Sequence, residues 1–70
     1  MKASDALKQV MEGQGRSQRS LALGLGVTPQ AVANRLSSKA MKVDTLCEMA
    51  RELGCKVVIE HDEERFEIEE

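Results

Sequence analysis

The chain has little that catalysis or metal binding would need. Its only histidine, His61, lies among acidic residues, and its two cysteines, Cys47 and Cys55, have no C-x-x-C spacing. That pattern leaves no zinc site and no working disulfide to expect; Cys47 reads as a core residue of a helix. No cofactor is expected either: no nucleophile–base pair is evident, and no glycine-rich loop follows a strand. Tryptophan and tyrosine are absent, and Phe66 is the one aromatic, so the core must be aliphatic. No stretch approaches the roughly twenty apolar residues of a membrane span. The start, MKASDALK, lacks the apolar run of a signal peptide, and the expected location is the cytoplasm. Seventy residues make a small domain, for which a single core gives only about 3–5 kcal/mol and association is a reasonable expectation.

Net charge is small but unevenly placed. The net charge is −2, yet residues 1–59 carry nine basic and five acidic side chains, while residues 60–70 carry seven acids against Arg65. The first part is therefore at +4 and the tail at −6. A basic body with an acidic tail is compatible with a polyanionic partner, because phosphates respond to the local field.

What is present is a run of helical faces around Gln18–Leu36, QRSLALGLGVTPQAVANRL. Leu21, Ala22 and Leu25 share one face, Gly26 can take a left-handed turn, and Thr28-Pro29 starts a second helix as N-cap and first residue. Val32 and Leu36 give that helix its apolar stripe. Two short helices joined by so tight a turn read as a helix-turn-helix, with the second helix, about residues 29–37, in the major groove of DNA. Before it, a helix from Ser4 to Met11 or Glu12 is expected, with Ser4 as N-cap and Ala3, Leu7, Val10 and Met11 inward. Ser17 caps the first motif helix. After a polar loop, a fourth helix from Val43 to Leu53 presents Val43, Leu46, Cys47, Ala50 and Leu53, and Gly54 ends it. Then the period changes to two. Residues 55–60 and 65–69 read as a β-hairpin whose apolar face, Phe66 and Ile68, must rest on the bundle or on a second subunit.

Gln18, Leu21, Ala22, Leu25, Gly26, Val27, Thr28 and Val32 form a pattern that resembles the phage Cro/repressor (Xre-like) class of helix-turn-helix proteins. Gly24 departs from the class inside the first motif helix, and Arg35 departs at a place often apolar. The resemblance, which runs helix by helix from about Ser4 to Gly54, implies a four-helix repressor-like bundle. With the β-hairpin and acidic tail read from the pattern of residues 55–70, the expected fold is mainly α, a bundle over 1–54 followed by that hairpin. It also implies that Gln18 braces the recognition helix.

On this reading the partner is double-stranded DNA. Thr28, Gln30, Ala31, Asn34 and Arg35 are the candidates for base contacts: Gln30 and Asn34 match adenine N6 and N7, Thr28 or Ala31 a thymine methyl, and Arg35 a guanine or a phosphate. Ser17, Gln18, Arg19, Ser38, Lys39 and Lys42 are the candidates for phosphate contacts. Val57, Val58, Ile59, Phe66 and Ile68 would form the interface of a homodimer on a palindromic operator. Leu23 should point outward. The rival expectation is a protein-interaction module, an antitoxin or anti-regulator, that uses the acidic hairpin.

Overall fold

Four helices and one hairpin follow each other along the chain in a computed structural model that describes residues 1–69. Glu70, the end of the acidic tail, lies outside the described residues. Helix α1 spans Ala3–Gln14, α2 Gln18–Leu25, α3 Pro29–Ser37 and α4 Val43–Glu52, and strands β1 (Val57–His61) and β2 (Glu64–Ile68) pair antiparallel. No helix among these residues is long and apolar enough to cross a membrane.

The start of α1 corrects one expectation. Ser4 is not the N-cap; Lys2 holds that position, and Ser4 is buried with Leu7 and Met11. The reason is periodicity, since Ser4 lies three and seven residues before those two and so shares their face. The helix also runs past Glu12 to Gln14, and Gly15 closes it at φ 67°. Gln14 is useful there: its Nε2 donates to the Leu53 carbonyl at 2.8 Å.

The core is aliphatic and sulfur-rich. Leu7, Met11, Leu21, Ala22, Val32, Leu36, Met49, Ala50 and Leu53 form one buried cluster, with Val10, Leu25, Val27, Met41, Leu46, Cys55 and Val57 packed around it. Helix α4 contributes Met49 and Ala50 to it, sets Leu46 against it, and packs against α1, α2 and β1. Burial from several sides explains a second correction. Val43, expected inside, is 57% exposed, whereas Met49 is fully buried. Val43 opens α4 beyond the elements that cover Cys47 one turn later, and Met49 extends the stripe of Leu46, Ala50 and Leu53 to a wider face.

Arg16, between α1 and α2, ties the motif to this central helix. Its guanidinium donates to Ser20 Oγ at 3.1 Å, to the Ser20 carbonyl at 3.3 Å and to the Glu52 carbonyl at 3.3 Å. It also pairs with the Glu52 carboxylate at 3.5 Å. Together with Gln14 it satisfies the last carbonyls of α4, which have no helical partner. A Cβ at Gly24 would meet the end of the same Glu52 side chain, which can swing aside only by moving its carboxylate from where it pairs with Arg16. Replacing Arg16 by alanine should cost about 1–3 kcal/mol, read as a lower urea midpoint, and lysine should restore little because one ammonium cannot span three acceptors. A midpoint equal to the native one would remove Arg16 from this role.

The hairpin turn is tighter than expected. Only Asp62 and Glu63 connect the strands, with His61 opposite Glu64 and Asp62 at φ 54°. Aspartate tolerates that left-handed backbone, which is how a two-residue turn forms here without glycine. At the other end of the ladder Val57 stands opposite Ile68. Val57 packs on the helical core, and Ile68 is half-buried. The base of the hairpin is therefore the part that meets the bundle.

Candidate nucleic-acid interface

The α2–α3 unit is built by local chemistry at three points. Ser17 Oγ accepts from the Ser20 N–H at 3.0 Å and starts α2. Gly26, at φ 72°, ends it: the Val27 N–H reaches the Ala22 carbonyl at 3.0 Å and the Gly26 N–H the Leu23 carbonyl at 3.3 Å. That paired closure needs a left-handed residue, for which glycine has no Cβ penalty. Thr28 Oγ1 then accepts from the Ala31 N–H at 3.1 Å, and Pro29 follows as the first residue of α3. Ser17 and Thr28 each keep a hydroxyl proton to donate outward, because capping uses only their oxygen.

Helix α3 is divided cleanly. Val32 and Leu36 are buried beneath it, while Gln30, Asn34 and Ser37, at i, i+4 and i+7, are exposed on the far side. Gln30 Nε2 donates to Asn34 Oδ1 at 2.9 Å. The pair holds both amides in one orientation without exhausting either: Gln30 retains its Oε1 and a second N–H, and Asn34 retains its NH₂. Ala31 is half-buried between the two faces.

The other expected site residues divide by their partners. Gln18 and Arg19 are exposed at the first turn of α2, where unbonded N–H groups and the helix dipole favour an anion. Lys39 and Lys42 are exposed in the α3–α4 connection. Ser38 lies there too, but its hydroxyl is engaged within the loop: it donates to the Ala40 carbonyl at 2.6 Å and accepts from the Ala40 N–H at 3.3 Å. Arg35 is half-buried and donates to Glu48 Oε1 at 3.3 Å, so it holds α3 against α4. Leu23 is 84% exposed beside Arg19, Val27 and Pro29, as its outward position implied.

Two residues that matter to the site gave no local signal. Glu48 restrains Arg35 and Glu52 restrains Arg16, across separations of 13 and 36 residues to the α4 atoms they bond. Of the cations around the motif, these two are held by carboxylates, while Arg19, Lys39 and Lys42 extend into solvent. Chemically, the surface offers a rigid amide pair flanked by hydrogen-bond donors and positive charge. Such a surface suits base edges between two lines of phosphates.

Comparison with curated proteins and with solved structures gave no match. A family model described as helix-turn-helix matches residues 7–59, which run from within α1 through α4 to the start of the hairpin. The chain therefore belongs to the helix-turn-helix family of Xre/Cro-like DNA-binding proteins.

Proposed function

We propose that this DNA-binding chain is a homodimeric, sequence-specific transcriptional regulator that represses by occupying a palindromic operator. The observation that carries the reading is the face of α3, where Gln30 and Asn34 are exposed and bonded to each other directly opposite the buried Val32 and Leu36. An exposed helix face with two pre-oriented amides fits the major groove, where adenine presents an acceptor beside a donor. Gln30 reads adenine with its free Oε1 and N–H, and Asn34 both steadies Gln30 and reaches the neighbouring base. Thr28 and Ala31 approach a thymine methyl. Arg35 is tethered to α4 by its bond to Glu48, so its contribution is the smallest of the five. Ser17, Gln18, Arg19, Lys39 and Lys42 fix the position on the phosphates, with Ser38 contributing through the loop that it shapes.

The hairpin joins two copies, which sets two α3 helices about one turn of DNA apart, roughly 34–36 Å. Occupancy of such a site in the cytoplasm blocks polymerase without any further ligand. Selection from a random duplex library at moderate salt tests this. The expected product is a two-fold symmetric site with half-sites about ten base pairs apart, and Gln30→Ala should relax preference at one base of each half-site by about 1–3 kcal/mol. No enrichment even at low salt would overturn the reading and leave a protein ligand of the acidic hairpin as the function to pursue.

A further inference from the structure

The hairpin sorts its side chains by face. Val57, Ile59 and His61 share one face with Ile68, Phe66 and Glu64, and Val58 and Glu60 share the other with Glu67 and Arg65. The first face meets the bundle through Val57 and Ile68. One step outward, the cross-strand pair Ile59 and Phe66 is left 59% and 52% exposed. Phe66 is the only aromatic residue of the chain, and it lies outside the core.

The backbone of β2 is equally incomplete. In a two-residue hairpin the residues flanking the turn, here His61 and Glu64, exchange the first ladder bonds, and bonded pairs then alternate along the strands. Phe66 therefore bonds back to Ile59, while the N–H and C=O groups of Arg65 and Glu67 point out of the open edge. From this edge we infer that β2 pairs antiparallel with β2 of a second copy, about a two-fold axis at Phe66. The inference rests on the homodimer reading and supplies its edge and register.

Charge selects the register. With the axis at Phe66, Arg65 stands opposite the second copy's Glu67, and Glu67 opposite its Arg65. Both pairs fall at positions where the open edge can exchange N–H···O=C bonds. Moving the axis to Arg65 or to Glu67 places like charges face to face. A shift by one residue sets the apolar face of one strand against the charged face of the other. The β1 edge offers less. An axis at Ile59 brings Val58 opposite Glu60, with no charge match. An axis at Val58 needs Lys56, which precedes β1 and borders the same depression as Ala3 and Ala6 of α1. Pairing through β2 produces a four-stranded sheet, lines up Ile59, Phe66, Phe66 and Ile59 in one apolar row, and closes both β2 edges.

The test is a pair of charge reversals in the full chain, Arg65→Glu and Glu67→Arg, with association followed by sedimentation equilibrium and native mass spectrometry. Each variant alone faces two like-charge pairs in its homodimer and should associate at least about tenfold more weakly than the native chain. Mixed together, they should form a one-to-one heterodimer close to native affinity. One chain then carries acids at both positions and the other carries bases at both, so each pair between the two β2 strands is again of opposite sign. The acid that Arg65→Glu sets opposite Glu60 within its own hairpin is the same in the homodimer and the heterodimer. Single variants that associate like the native chain would overturn the register. Loss of association on Lys56→Glu alone would move the pairing to β1. A native chain that stays monomeric at about 1 mM would overturn the dimer reading itself.

Discussion

Met49→Ala should leave most of the chain unfolded or close to it at 25 °C. Met49 has no exposed surface and lies in the same cluster as Leu7, Met11, Leu21, Val32 and Leu36. Truncating a buried methionine costs about 2–5 kcal/mol, the lost transfer energy plus the cavity left behind. A domain of this size has roughly 3–5 kcal/mol in total. The two ranges overlap, so one substitution can remove the whole margin. Met49→Leu, which keeps the volume, should cost less than about 1.5 kcal/mol. With no tryptophan or tyrosine to report on folding, helical circular dichroism against urea is the measurement. A Met49→Ala midpoint equal to the native one would mean that the core closes over the gap and that α4 is not the piece on which stability depends.

Met49 was legible in the local pattern, although it was not among the residues expected inside. Three residues after Leu46 and four before Leu53, it lies on the apolar stripe of a strongly amphipathic helix. Leu46, Met49, Ala50 and Leu53, at i, i+3, i+4 and i+7, make a stripe of ordinary width, which packs against α1 and α2. Val43 is where residue type and spacing misled: it opens α4 largely exposed, while Leu46 in the same turn packs on the core. By contrast, the α2–α3 unit was fully legible. Ser17, Gly26, Thr28 and Pro29 act on backbone groups a few residues away, so their chemistry can be read without knowing the fold. The existence of the hairpin was legible from its alternation, but its turn was not, since Asp62 adopts a conformation usually signalled by glycine.

The candidate site divides along the same line. The exposed polar face of α3 followed from its buried stripe. The bonds that restrain it, Arg35 to Glu48 and Arg16 to Glu52, join residues distant in sequence and required the structure. They also change the electrostatic reading. Arg35, expected among the base contacts, is held against α4 by Glu48, as Arg16 is by Glu52. Arg19, Lys39 and Lys42 are the cations that remain exposed around the motif.

That reduced set gives a quantitative expectation for DNA binding. Three such cations in each protomer make about six in a dimer, and each phosphate neutralised on B-DNA contributes about −0.9 to the slope of log affinity against log salt. The slope for the selected site should be near −5, and affinity should fall about a thousandfold between 50 and 200 mM salt. Arg19→Ala removes one cation per protomer, so the slope should become shallower by about two while the preferred sequence stays the same. Gln30→Ala should do the reverse, with base preference relaxed and slope unchanged. Fluorescence anisotropy with a labelled duplex at four or five salt concentrations measures both quantities for each variant. A slope near −3 with the native chain would mean that one protomer binds at a time. A slope close to zero would remove the phosphates from recognition, and with them the groove-bound placement of α3, because amide contacts alone cannot hold a helix against a hydrated duplex.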